Sequence, residues 1–328
     1  MAHRSRPKIL IVRLSSIGDM VLTTPIIRRL HAQLDAEIHY LTKARFRGVL
    51  EHHPAIHRLW TFERNLNEVL PQLKAEGFSE VIDLHKNLRT RKLKSVLKVP
   101  AHSFPKLNLQ KWIYVNFGWD VMPDVHIVDR YMRAVEHLGV LDDGQGLDYF
   151  PGERAEKVRS ILPKKPYVAV VIGGNHPGKR LAAHQLKPLC SQISHPVLLL
   201  GGPEDVEVAD EIVGEEHVHN LVGKISLNES AIAVRESAAV ITHDTGLMHV
   251  AAAYGKEVLS IWGATVPEFG MYPYRAGEKS QMFRPCNRKH RPHSKLGNKH
   301  LLKGSFKGMS AIRIDDIARV ANEILLLS

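Results

Sequence analysis

Residues 8–19, KILIVRLSSIGD, open the regular structure of the chain and decide its fold class. Lys8–Leu14 is a strand-length run dominated by branched apolar residues. Ser15, Ser16, Ile17, Gly18 and Asp19 then form a short polar loop, and a helical apolar pattern follows. A strand passing through a tight loop into a helix is the first half of a βαβ unit. Outward from there the alternation repeats, with strands expected at Glu37–Leu41, Arg58–Phe62 and Val81–Leu84. Between them lie amphipathic stretches such as Leu66–Glu76, where Leu66, Val69, Leu70 and Leu73 share a face. The pattern weakens from Gly118 to Pro166, where Asp142-Asp143-Gly144-Gln145-Gly146 is turn chemistry. It restarts with strands expected at Tyr167–Ile172, Pro196–Leu200, Val218–Val222, Ala239–Thr242 and Glu257–Trp262, and closes on a helix from about Ile312 to Leu326. Two α/β domains with parallel sheets follow, with a boundary near residues 150–165.

The 328 residues suffice for two cores, and 44% hydrophobic with 24% charged residues is ordinary globular composition. A net charge of +11 points to anionic partners. Cys190 and Cys286 are too few for a disulfide framework. Nothing approaches the ~18 apolar residues of a membrane span. The basic start, Met1–Lys8, is followed by only four apolar residues before Arg13, too few for a signal peptide. The expected location is cytoplasmic, either free or resting on the cytoplasmic face of the inner membrane.

Three loops carry chemistry. In the first, Gly18 permits close backbone approach, the Ser15 and Ser16 hydroxyls can hold a polar ligand, and Asp19 offers a carboxylate for general-base work. Ser and Asp also favour helix starts for backbone reasons alone, so that alternative stays open. The second is His243-Asp244-Thr245-Gly246-Leu247-Met248-His249. Thr245 and Gly246 expose amides at a helix N-terminus, a natural phosphate site, with His249 one turn in. A capped helix with a core-adjacent histidine is the alternative. The third, Gly173-Gly174-Asn175-His176-Pro177-Gly178-Lys179-Arg180, ends in two cations suited to a diphosphate. It is neither a Walker A loop nor a dinucleotide fingerprint, and a solvated surface turn reads equally well.

Lys8–Leu30, containing Arg-Leu-Ser-Ser-Ile-Gly-Asp-Met-Val-Leu-Thr-Thr-Pro, resembles the opening of glycosyltransferase family 9, the ADP-heptose:lipopolysaccharide heptosyltransferases. His243–Trp262 resembles that family's C-terminal signature, and Val266–Pro273 resembles one of its branches. The resemblance implies the GT-B fold: two Rossmann-like domains facing across a cleft, at residues 1–155 and 156–311, with a C-terminal helix, 312–328, packing back on the N-terminal domain. It implies inverting, metal-independent transfer of a heptose-type sugar from a nucleoside-diphosphate donor, ADP-linked, to a lipopolysaccharide-core or related glycolipid, with no other cofactor. Matched residue by residue, Asp19 deprotonates the acceptor hydroxyl. Lys179, Thr245 and Gly246 meet the diphosphate, alongside Arg180, and Asp244 and His249 complete that loop. Asp205 holds the ribose, with Glu204 a near competitor. Relatives of that branch carry several cysteines after the Pro-Glu-Phe-Gly-Met segment. Here only Cys286 remains, beside His290, His293 and His300, and Arg284–Lys307 reads as a solvated basic loop rather than a metal site.

Lys86–Lys98 holds six Lys or Arg in thirteen residues and no acid. It is either a solvated helix face or a dock for an anionic glycolipid at the inner-membrane surface. Trp112, Tyr114, Phe117 and Trp119 follow, as interface anchors or as core. No nucleic-acid-binding signature is present, so no nucleic-acid partner is expected. A sugar-nucleotide epimerase on the same fold and a non-enzymatic basic anion-binding protein are the rival readings.

Overall fold

The computed structural model describes residues 6–174, 176–285 and 308–327. The chain divides into two compact units, Met1–Lys106 with Val125–Phe150, and Leu107–Asp124 with Pro151–Ser328.

The first unit is built on a parallel sheet of β1 (Lys8–Val12), β2 (Glu37–Lys43), β3 (Ile56–Phe62), β4 (Glu80–Asp83) and β5 (Ala101–Ser103), in the order β3-β2-β1-β4-β5. Strand β1 sits at the centre with Ile9 to Val12 all buried, which is why it reads as an unbroken apolar run. The second unit has β6 (Val168–Val171), β7 (Val197–Leu200), β8 (Val218–Asn220), β9 (Ala239–His243), β10 (Glu257–Ile261) and β11 (Gln281–Phe283). Their order is β11-β10-β9-β6-β7-β8, again parallel throughout. Both sheets wind outward from their first strand, return to its other side and wind the opposite way. That is the Rossmann pattern, and the reversal opens a crevice beyond the carboxyl ends of the first and fourth strands.

Several expectations need correction. Strands β5 and β11 escaped the sequence reading because each is a three-residue edge strand, Ala-His-Ser or Gln-Met-Phe, without a β-branched residue to mark it. The stretch Leu66–Glu76 is a 3-10 turn, Leu66–Glu68, followed by a separate helix, Leu70–Ala75. Pro71 lacks an N–H and fits only the first turn of a new helix. The acidic turn at 142–148 is docked rather than free. Arg28 pairs with Asp143 at 2.8 Å and with Asp148, and Arg29 pairs with Asp142 at 2.5 Å and Asp143 at 3.0 Å. Both arginines lie on the helix Thr24–Leu34, so these pairs tie 142–148 to the first unit.

The closing helix, Ile314–Leu325, does not bear out the expected return to the first domain. Ile317, Val320, Ala321 and Ile324 form an i, i+3, i+4, i+7 stripe buried in the second unit's core with Leu186, Leu189 and Leu259. The Ser194 N–H and hydroxyl both donate to Asn322 Oδ1, at 2.9 and 3.0 Å, and fix its register. The helix Asn108–Phe117 also belongs to the second unit, where Tyr114 meets Phe269 edge-on at 5.8 Å. None of its residues is buried, and Trp112, Phe117 and Trp119 are 48%, 52% and 67% exposed. These aromatics therefore do not fill a core. Among the described residues no helix is long and apolar enough to cross a membrane.

Candidate active site

In the first unit the reversal lies between β1 and β4, and Arg13 joins the two loops there. Its Nε donates to Ser15 O at 2.7 Å, and Nη1 donates to Leu84 O at 2.6 Å and to the Tyr131 hydroxyl at 3.1 Å. Nη2 meets Asp19 Oδ1 at 2.6 Å. Asp19 lies in the first turn of the short helix Ile17–Val21, and its Oδ2 accepts from the Ser16 N–H at 3.1 Å and the Ser16 hydroxyl at 2.9 Å. The carboxylate expected to be free is thus held on both oxygens. Burial pushes the Asp19 carboxyl up, but the Arg13 charge and the Ser16 donors outweigh it, leaving the group below its ordinary value. It is a fixed, ionised carboxylate. Ser15 supplies a backbone carbonyl to Arg13, Ser16 supplies both donors, and buried Gly18 sits within the turn.

The loop after β4 faces the same reversal. Burial, then the charges of Arg13 and Lys106, lower the His85 pKa to about 4, so the ring is neutral. Lys86 adopts φ 51°, a left-handed conformation that a non-glycine residue holds at a cost of about 1 kcal/mol. Asn87 caps the basic helix Leu88–Leu97, its Oδ1 accepting from Thr90 N at 3.0 Å. Asp83, Lys86, Asn87, Leu88, Arg91 and Lys94 line a cavity of about 560 Å³. Lys94 is neutralised by buried Asp83 at 2.9 Å, while Lys86 and Arg91 add positive charge to the same walls.

The second unit repeats the arrangement between β6 and β9. Lys179 Nζ lies 2.5 Å from Asp244 Oδ2, which also accepts from the Thr265 hydroxyl at 2.9 Å. Arg180 Nη1 lies 2.6 Å from Asp205 Oδ1, and Asp205 Oδ2 accepts from Gly202 N at 2.9 Å. Gly173 is required here, because a Cβ on it would stand 2.4 Å from Asp205 Oδ2. Asp205 is 2% exposed, whereas Glu204 is open to solvent. Asp244, Thr245 and Gly246 are part-exposed, and Thr245 is the N-cap of the helix Gly246–Ala253. His249, expected to face the mouth, is 2% exposed inside that helix's packing. His243 Nε2 accepts from Leu181 N at 3.0 Å and so pins the Lys179–Arg180 loop to the end of β9. Burial lowers the His243 pKa to about 4, which keeps that nitrogen an acceptor.

The sequence model of glycosyltransferase family 9 (heptosyltransferase) matches residues 68–300. The chain belongs to glycosyltransferase family 9. Lipopolysaccharide heptosyltransferase 2 of Escherichia coli K12 is 24% identical to this family 9 chain over 304 residues, covering 80% of it and 84% of the relative. Lipopolysaccharide heptosyltransferase 1 of Campylobacter coli is 22% identical over 97% of this chain and 98% of its own. Among solved structures, the family 9 glycosyltransferase of Veillonella parvula superposes with a TM-score of 0.81 at 25% identity, covering 98% of both chains. E. coli ADP-heptose lps heptosyltransferase II superposes with a TM-score of 0.72 at 20% identity, over 98% and 99% of the two chains. The fold is GT-B, with two Rossmann-like domains, and the protein is a glycosyltransferase.

The structure brings Lys179, Arg180, Asp205, Asp244, Thr245 and Gly246 to one edge of the second sheet, and Ser16, Gly18 and Asp19 to the matching edge of the first. Arg13 and Thr265 were missed as site residues, and His243 was placed in its loop without a role. Of the two missed residues, Arg13 left a signal, a charge interrupting an apolar strand. Cys286, His290, His293 and His300 lie outside the described residues.

The three histidines His53, His85 and His243 are each lowered to about 4 from 6.5. Between those values the unfolded chain binds protons that the folded chain refuses, so their stabilisation is complete above pH 6.5 and lost as pH falls toward 4. Urea unfolding at stepped pH should show stability declining through this window with a slope of up to three protons. A flat profile between pH 7 and 5 would contradict the buried, neutral assignments.

Proposed function

We propose that this enzyme transfers a heptose, with inversion, from ADP-heptose to a hydroxyl of a lipopolysaccharide-core acceptor. The observation carrying this reading is the gathering of Lys179, Arg180 and the Thr245–Gly246 helix start at one sheet edge, in a chain of family 9. The E. coli heptosyltransferase WaaC, a fold relative, was solved with ADP and with ADP-2-deoxy-2-fluoro heptose.

The donor's diphosphate would sit on the amides of Thr245 and Gly246, where the helix dipole favours an anion. Lys179, whose partner is now Asp244, would turn its charge to the phosphates, with Asp244 retaining the Thr265 hydroxyl. Arg180 would stabilise the same charge, and Asp205 would share its carboxylate with a ribose hydroxyl. As the anomeric carbon–oxygen bond breaks, its electron pair goes to the β-phosphate, where these fixed cations stabilise it. The acceptor oxygen attacks from the opposite face. Asp19 takes its proton late, once the forming bond has acidified the hydroxyl, because Arg13 keeps the carboxylate weakly basic. The Asp19→Asn variant should keep ADP affinity and lose about 10²–10⁴-fold in kcat. Turnover at the parental rate would sink the general-base assignment.

The acceptor's phosphate or carboxylate groups suit the cavity beside Lys86 and Arg91. For a glycolipid acceptor, the exposed cations of the basic helix Leu88–Leu97 would rest on the cytoplasmic leaflet. Co-sedimentation with vesicles containing anionic lipid should therefore exceed that with neutral vesicles. It should fall several-fold in an Arg91→Glu/Lys92→Glu variant, whereas equal binding to both vesicle types would exclude the electrostatic dock.

A further inference from the structure

Glu80, His102 and His137 converge on the first unit from three elements far apart in sequence. Glu80 opens β4, His102 is the middle residue of β5, and His137 lies in the 3-10 turn Glu136–Leu138. The register pairs Ile82 with His102, and Glu80 shares a face with Ile82, so carboxylate and imidazole project from the same side of adjacent strands. The turn carrying His137 adds the third group. His102 Nε2 stands 3.4 Å and His137 Nε2 2.5 Å from one oxygen, Glu80 Oε1, and all three ligand atoms lie within 4.8 Å of one another. The two imidazoles stack at 3.6 Å between centroids and 15° between planes.

This carboxylate is 6% exposed, and among the described residues no hydrogen bond of good geometry reaches Oε1. A buried carboxylate oxygen without such a bond is costly, and two stacked imidazoles aimed at it would repel each other if both were charged. One divalent ion removes both problems, because it is bound by neutral imidazole and ionised carboxylate together. Tetrahedral zinc with bonds of ~2.0–2.2 Å spaces its ligand atoms by ~3.3–3.5 Å. The Glu80–His102 separation already fits, whereas His137 must withdraw by about 1 Å and swing out of the stack, so that both Nε2 lone pairs converge on one ion. Its ring is part-exposed on a short turn, so that movement is open to it.

A second cluster, Glu37, His39 and His57, has a similar composition but a different chemistry. His39 Nδ1 accepts from Trp60 Nε1 at 2.9 Å, which leaves its Nε2 to carry the proton donated to Glu37 at 2.9 Å. Lys8 stands 3.6 Å from the same Glu37 oxygen. That cluster is a satisfied hydrogen-bond network beside a fixed cation. No Lys or Arg ion pair reaches Glu80 among the described residues.

We propose that Glu80, His102 and His137 form a zinc-class divalent metal site, with two imidazoles, one carboxylate and an open position for water. It stands at the amino end of β4, about 10 Å along the strand from Asp83 and the loop facing Asp19. Its role is therefore structural, clamping the edge strand β5 and the 136–138 turn onto the sheet, and it is separate from the transfer chemistry.

The test uses the full chain without an affinity tag, stripped with chelator and titrated with Zn²⁺ alone by calorimetry, with Co²⁺ absorption as a second readout. A His102→Ala/His137→Ala variant should lose one equivalent of Zn²⁺ and the corresponding visible Co²⁺ bands. Zn²⁺ should raise the Tm of the parent by several degrees and leave that variant's Tm unmoved. Glu80→Gln should weaken the same equivalent, and His57→Ala should leave it intact. Unchanged stoichiometry in the double variant, or loss of the ion in His57→Ala, would overturn the proposal.

Discussion

One guanidinium holds the first unit's candidate site together. Arg13 reaches the carbonyls of Ser15 and Leu84, the Tyr131 hydroxyl and the Asp19 carboxylate. It thereby joins the loops after β1 and β4 at the point where the sheet's winding reverses. A buried arginine requires such partners, since its charge cannot be neutralised at any ordinary pH. Losing it would release both loops at once and leave Asp19 as an uncompensated charge. The Asp19 carboxylate is therefore fixed in direction at some expense of basicity, an arrangement that suits the proposed role of a base that takes its proton late.

The second unit solves the same problem with a neutral group. His243, at the end of β9, accepts the Leu181 N–H and so positions the two preceding cations, Lys179 and Arg180. Each cation rests on an acid, Asp244 or Asp205. These pairs keep the cations ordered, and a diphosphate with more negative charge than either carboxylate can compete for them. Asp205 is held deepest, by Arg180, the Gly202 N–H and the bare backbone of Gly173, and so anchors the loop that carries Arg180.

Much of this was legible in the residues because parallel strands buried on both faces leave long apolar runs. The strands β1, β6 and β9 were all readable in that way. The edge strands β5 and β11 were not, nor was the break before Pro71, where the apolar spacing persists across two separate turns. The loops bearing Asp19, Lys179 and Thr245 were visible from their position after such strands. Their pairings were not, because Arg13 meets Leu84, and Lys179 meets Asp244, only through sheet order. The amphipathic stripe of the last helix showed that it packs on something apolar, but a stripe does not say which core receives it.

The central claim is that the second unit's sheet edge is a nucleoside-diphosphate site built on Lys179. Calorimetric titration of the intact protein with ADP, UDP and GDP, repeated on Lys179→Ala, tests it most directly. The account predicts that ADP binds best and that the substitution weakens it by about 10–100-fold, as expected for one lost charge-assisted contact. Absence of binding by any of the three, or ADP affinity indifferent to Lys179, would contradict it.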